Sequence, residues 1–349
     1  MQITKVFRLI GILFFFTQTL SAQRVTFVRK DAERKVDVLV DGQLFTAYIY
    51  PSEDTLKKPV LFPIKTANGT TITRGYPLEP RANERTDHPH HVGLWMNYED
   101  VNGYDYWNNS TAITPENRLK KYGLIRHTGI QKMKDGNVGM LVTTADWVNQ
   151  DGKGKTVLKE RTVYRFSGKK GRRIIDRETT LTAQDSTVVF KDVKDGFIGL
   201  RLARQMEHPS NKAEIFTDAN GIETKTAVMN NEGVVGHYRN PAGVEGEAVW
   251  STRGAWMNLS GKIGDEEIDV AMIDHPSNIS YPTYWHARGY GLFAANPLGA
   301  KVFSNGKTTL NTTLKPGGSV VFRYRVVVQS GRLSDGDLNE LAADFAKRK

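Results

Sequence analysis

None of the 349 residues is a cysteine. Disulfide staples, thiolate metal sites and cysteine nucleophiles are therefore excluded, and stability has to come from burial and backbone pairing. Long apolar runs are equally scarce. Beyond residue 22 no stretch approaches the ~18 apolar residues of a membrane-spanning helix, so no membrane span is expected. Repeats, low-complexity tracts and Pro/Ser-rich linkers are missing, which leaves no mark of a domain boundary after residue 23. No nucleic-acid recognition motif is present either, and nucleic acid is not an expected partner.

The one strongly apolar segment is at the start. Lys5 and Arg8 form a basic region, Leu9 to Leu20 an apolar one, and Ser21-Ala22 a small-residue exit before Gln23. That layout predicts a secretory signal peptide over 1–22 and a single exported domain over 23–349, periplasmic or extracellular. Lys and Arg number 48 against 38 Asp and Glu, a net charge of +10. The excess concentrates between Lys153 and Arg177, where the carboxylates are Glu160 and Asp176. An acidic glycan is one partner such a surface would attract.

Period-2 alternation dominates the rest. Val36, Val38 and Val40 alternate with Lys35, Asp37 and Leu39, and Asp41-Gly42 then turns the chain into Leu44 to Tyr50. Alternation ended by Asp-Gly is a strong hairpin signal, because both turn positions tolerate positive φ. The dipeptide pattern recurs at Asn68-Gly69, Asp135-Gly136, Asp151-Gly152 and Asp195-Gly196. Between the turns lie β-rich runs at Val138 to Val148, Thr156 to Phe166, Arg173 to Leu181 and Ser319 to Val328. This predicts an all-β fold, a large antiparallel β-sandwich. The clearest helix is C-terminal, capped by Ser334 with Leu338, Leu341 and Phe345 on one stripe.

Two segments break the alternation, Gly75 to Trp107 and Asp274 to Gly299. Together they hold five of the eight histidines and three of the six tryptophans, as expected of loops that build a site on a sheet scaffold. In the run Asp87-His88-Pro89-His90-His91, extended geometry would put His88 and His90 on one face and Asp87 and His91 on the other. Imidazole exchanges protons near neutrality, and Asp87 or Glu84 would orient one ring. His275 and His286 are the candidate partners across a pocket. Trp95, Trp107, Tyr284 and Trp285 would stack on a sugar ring, while Arg81, Arg201 and Asn278 bond its hydroxyls or a carboxylate. No cofactor is expected. His-x-His spacing leaves a divalent metal at His88, His90 and His91 as the alternative.

At these residues the chain resembles a bacterial family of unknown function labelled methane oxygenase PmoA. The stretches are Asp87-His88-Pro89-His90-His91-Val92-Gly93-Leu94-Trp95, Asp195-Gly196-Phe197-Ile198-Gly199-Leu200-Arg201, Asp274-His275-Pro276, and Pro282 through Pro297. The resemblance implies soluble, often exported proteins of carbohydrate catabolism, and brings no established catalytic residues. Gly75-Tyr76-Pro77-Leu78 with Pro80, then His91-Val92-Gly93 and Trp95, also resembles the entry strand of aldose-1-epimerases. That implies a galactose-mutarotase-like supersandwich, although three clustered histidines depart from the pattern and a late glutamate has no clear counterpart. The expected function is sugar or glycoside chemistry by histidine acid/base catalysis, as an epimerase, lyase or hydrolase. Non-catalytic glycan binding and a metal-dependent oxygenase or hydrolase are the alternatives.

Overall fold

The computed structural model describes residues 23–348. The signal-peptide expectation falls on residues 1–22 and lies outside the described residues. In chain order the strands are β1 (Val25–Lys30), β2 (Lys35–Val40), β3 (Gln43–Ile49), β4 (Val60–Ile64), β5 (Leu94–Tyr98), β6 (Leu124–Lys134), β7 (Val138–Val148), β8 (Thr156–Lys169) and β9 (Arg172–Ala183). They continue as β10 (Val188–Phe190), β11 (Gly196–Arg201), β12 (His237–Arg239), β13 (Trp256–Ile263), β14 (Glu266–Asp274), β15 (Tyr284–Arg288), β16 (Leu292–Asn296), β17 (Thr312–Leu314) and β18 (Ser319–Ser330). The helices are α1 (Pro115–Lys121) and α2 (Asp335–Ala346).

Two eight-stranded sheets account for most of these strands. The first runs β1-β2-β3-β4-β5-β11-β16-β15 and the second β12-β13-β14-β18-β9-β8-β7-β6; β10 and β17 pair by themselves. The ladders are antiparallel, and the large antiparallel sandwich expected from alternation is what the chain forms. Val36, Val38 and Val40 are fully buried, as their spacing requires. Side chains from both sheets share one core, with Phe197 of the first 4.2 Å from Phe322 of the second. Burying each such side chain contributes roughly 1.5–3 kcal/mol.

Asp41 (φ 49°) and Gly42 (φ 77°) make the β2–β3 turn, and Asp135-Gly136 joins β6 to β7. Asp195-Gly196 departs from the expectation: it leads into β11, whose neighbours β5 and β16 come from distant sequence. Ser334 caps α2 in a reciprocal box with Asp337, and Leu338, Leu341 and Phe345 are buried as expected. The basic stretch between Lys153 and Arg177 forms β8 and β9 of the second sheet. Part of its charge is consumed internally, Arg177 on Glu160 at 3.0 Å and Asp176 on Arg325 at 2.6 Å. It therefore does not supply the cationic lining of the site described next, which belongs to the first sheet.

Candidate functional site

Consecutive residues of a strand face opposite sides of its sheet. On β15, Trp285 enters the core, so His286 faces the outer side of the first sheet. Register carries that outer row across the sheet: His286 pairs with Ala294 of β16, Ala294 with Gly199 of β11, and Gly199 with Trp95 of β5. Gly199 is required there, because a Cβ would sit 2.5 Å from the Trp95 ring. One step along, Arg288 pairs with Leu292 and Leu292 with Arg201. The loop preceding β5 folds over this surface and brings the histidine run with it.

That run is a tight turn. His88 adopts a left-handed backbone (φ 45°), and the His91 amide donates to the His88 carbonyl at 2.9 Å. The turn overturns the extended-face expectation, since His88 and His91 stack in parallel at 4.8 Å. Two buried cations hold it from beneath. Arg74 donates to the carbonyls of Asp87 (2.7 Å), His88 (2.9 Å) and His91 (3.1 Å), and Lys58 donates to that of His90 (2.7 Å). Neither residue stands out in the sequence, where each is one charge among many.

Asp87 is the electrostatic centre. It accepts from Arg74 (2.8 Å), Arg201 (2.6 Å) and Nδ1 of His88 (2.5 Å). Burial opposes its ionisation, but Arg201, the His88 hydrogen bond and Arg74 together hold its carboxyl well below the usual range. An ionised Asp87 only accepts, so Nδ1 of His88 carries the proton and Nε2 of the neutral ring is the free lone pair. The His88 side chain is 40% exposed and lies parallel to Tyr290 at 5.0 Å.

The other imidazoles are shielded. Burial first, then neighbouring cations and imidazoles, pushes His90, His91 and His286 well below the ordinary histidine value. Arg201 donates to Nδ1 of His91 at 3.3 Å, which puts the His91 proton on Nε2. Nε2 of His90, Nε2 of His91, Nε1 of Trp95 and both ring nitrogens of His286 are buried without a protein partner. Nδ1 of His286 is 3.7 Å from Asp195. His91 stacks on Trp95, which shares the outer row with His286, so the histidine run and His286, distant in sequence, lie on one face of the first sheet.

Asp195, beside His286, has two further carboxylates as neighbours, Glu99 and Asp105, and nothing in their sequence context marks the three as a group. Burial raises Asp105 to about 6 and also raises Glu99, with Asp195 adding to both. Each is engaged: Asp105 by Asn108 (2.8 and 2.9 Å), Glu99 by the Asp195 amide (3.3 Å), and Asp195 by Lys194. Lys58, buried over the Trp95 ring at 5.4 Å, is lowered to about 7 by desolvation.

Several expected site residues are elsewhere or covered. His275 follows β14 of the second sheet and serves α2, bonding the Arg348 carbonyl at 3.0 Å with its ring 5.0 Å from Phe345. Asn278 is spent on Asp274 and the Arg323 carbonyl, each at 2.7 Å. Trp285 is in the core, bonding the Gly254 carbonyl. Trp95 and Trp107 pack behind His91 with 0% and 1% exposure, so neither offers a face to a ligand. Tyr284 lies under Phe303, stacked at 5.4 Å. Glu84 accepts from the Gly75 and Tyr76 amides and from Arg81, which fixes the loop and occupies both side chains. Arg201 is fully buried against Asp87 and beside the Tyr290 ring. As for a metal, Nδ1 of His88 and Nδ1 of His91 are taken by Asp87 and Arg201. Among the described residues no three His, Asp or Glu side chains gather as a metal-binding group.

No curated protein matches the chain. Similar solved structures include the galactosidase domain of an α-galactosidase–sucrose kinase (8% identity, TM-score 0.40), covering 87% of this chain and 42% of that one. A galactose mutarotase-like protein from Clostridium acetobutylicum has 11% identity and a TM-score of 0.36 over 88% of this chain and 98% of its own. A GH36 α-galactosidase from Geobacillus stearothermophilus has 10% identity and a TM-score of 0.38 over 88% and 41%. The chain thus spans less than half of either galactosidase, and likenesses at this level assign no reaction or substrate. The model of one family matches residues 35–343 and its description names no activity: the chain belongs to the family of unknown function DUF6807.

Proposed function

We propose that this protein is an exported enzyme acting on a sugar or glycoside by proton transfer, with His88 as the acid/base group. The observation that carries the reading is the Asp87–His88 pair: an ionised carboxylate 2.5 Å from Nδ1, and a ring 40% exposed beside Tyr290. A carboxylate in this place fixes the tautomer, aims Nε2 outward and stabilises the imidazolium formed when a substrate proton arrives. Arg201 acts through Asp87 as a positioning residue. His286 beside Asp195 is the second imidazole of the face, reached only through the first layer of side chains. Export rests on the leader-like residues 1–22.

Epimerisation, β-elimination and hydrolysis all begin or end with such a transfer. Incubation of sugars and glycosides in D2O, followed by NMR, reads all three at once: deuterium at an acidic carbon, an unsaturated product, or a released reducing end. His88→Gln should abolish whichever signal the wild type gives, and retention of wild-type turnover by that variant would falsify the assignment. Non-catalytic glycan binding is the second reading, and the shielding of His90, His91 and His286 favours it. Under that reading sugars bind, His88→Gln leaves turnover undetectable as in the wild type, and the ligand is recovered unchanged.

A further inference from the structure

We propose that the cavity beside Tyr290 is a second sugar subsite, so that the substrate is a glycoside of at least two units; this rests on the carbohydrate reading above. The cavity has a volume of about 450 Å³ and is lined by Arg85, His208, Glu214, Glu247, Gly289 and Tyr290 among others. That volume lies within the roughly 300–1,000 Å³ of small-molecule sites. Tyr290 is shared: it lines the cavity while its ring stacks on His88 at 5.0 Å and 6°. A ring held in the cavity is therefore a neighbour of the only site imidazole that reaches solvent.

The lining suits hydroxyl groups more than a single charge. Arg85 spends its guanidinium on Glu207 (2.6 Å) and Glu214 (3.0 Å). Nε2 of His208 accepts the Tyr238 amide at 3.2 Å, so its proton is on Nδ1 and is available to donate. The Glu247 carboxylate has no hydrogen-bond or ion-pair partner among the described residues. It sits against the strand end because residue 289 is glycine: a Cβ there would come 2.3 Å from Glu247 Oε1. The wall thus mixes cations, Arg85 and Lys212, with the carboxylates Glu214 and Glu247 and the His208 donor. A sugar hydroxyl both donates and accepts and satisfies such a wall, whereas an anion would meet Lys212 but also Glu214 and Glu247.

The test is calorimetric titration of the protein with galactose and glucose against lactose, melibiose and cellobiose. The variants are Asn211→Trp, an exposed lining position, and Glu247→Ala, also exposed. At least one disaccharide should bind tenfold or more tighter than its monosaccharides. Both variants should erase that gain while monosaccharide affinity stays within twofold and circular dichroism is unchanged. Equal affinity for one and two units in the wild type overturns the subsite and leaves the carbohydrate reading standing. No binding by sugars of either length overturns both.

Discussion

Asp87 and His88 are neighbours in sequence and are joined side chain to side chain at 2.5 Å, a contact made possible by the left-handed backbone of His88. Their burdens differ. Asp87 neutralises two buried guanidiniums, whereas the His88 ring projects outward. Asp87→Asn should cost roughly 3–5 kcal/mol, because it strands Arg74 and Arg201 without a counter-charge. His88→Gln, at an exposed ring, should change stability by no more than about 0.5 kcal/mol. Urea denaturation of the two variants checks the contrast, and equal losses would contradict it.

The same carboxylate sets part of the acid limb. Its folded pKa is depressed, so the stability it contributes is complete above the unfolded carboxyl value near ~4 and is lost as pH falls below it. In urea melts from pH 6 down to pH 2.5, the wild type should lose more stability than Asp87→Asn. Parallel curves would show that Asp87 is not held ionised.

Lys58 gives a slope of the same sign at the other end of the scale, there because a buried ammonium is penalised and not because a carboxylate is favoured. Desolvation lowers its folded pKa to about 7, so between there and the ordinary lysine value the unfolded chain binds the extra proton. Stability from this group therefore rises with pH across that window, by up to about 1.4 kcal/mol per pH unit. Lys58→Met should flatten the wild-type rise between pH 7.5 and 9.5. It also removes the anchor of the His90 carbonyl, visible as a change in the His90 ring signals by NMR.

The Asp274–His275 pair is expected to matter for folding and not for ligands. Asp274 accepts from Asn278 (2.7 Å) and from the His275 and Thr283 amides (3.0 and 2.8 Å). Asp274→Asn turns one acceptor into a donor facing donors and should cost roughly 1–3 kcal/mol. His275→Ala should loosen α2 and leave sugar binding within twofold of wild type. A tenfold loss of binding on His275→Ala would return that histidine to the site.

Period-2 alternation made the sandwich readable, since residues such as Val36, Val38 and Val40 must share a face wherever the strand goes. The same rule, applied to Trp285-His286, already forbids both from lining one pocket, and the structure sends them to opposite sides. The histidine turn was legible as a cluster but not as a shape, because the φ of 45° at His88 depends on carbonyls gripped by Arg74, thirteen to seventeen residues away from Asp87 and His91. His275 misled for a different reason. Its motif is dense in polar residues because it fastens the C-terminal helix, and sequence density alone does not distinguish fastening from chemistry. Lys58, Arg74, Asp195 and Tyr290 gain their importance from sheet order and loop closure, which composition does not encode.

Arg74 and Lys58 grip the loop by its main-chain oxygens, and main-chain oxygens are the same whatever side chain follows them. The platform and the reagents it displays are thus separable. A lineage starting from this scaffold is free to exchange the outward ring at position 88 for another functional group while the platform beneath persists. Across relatives, variety at position 88 above an unchanging basic pair would mark one frame carrying several chemistries.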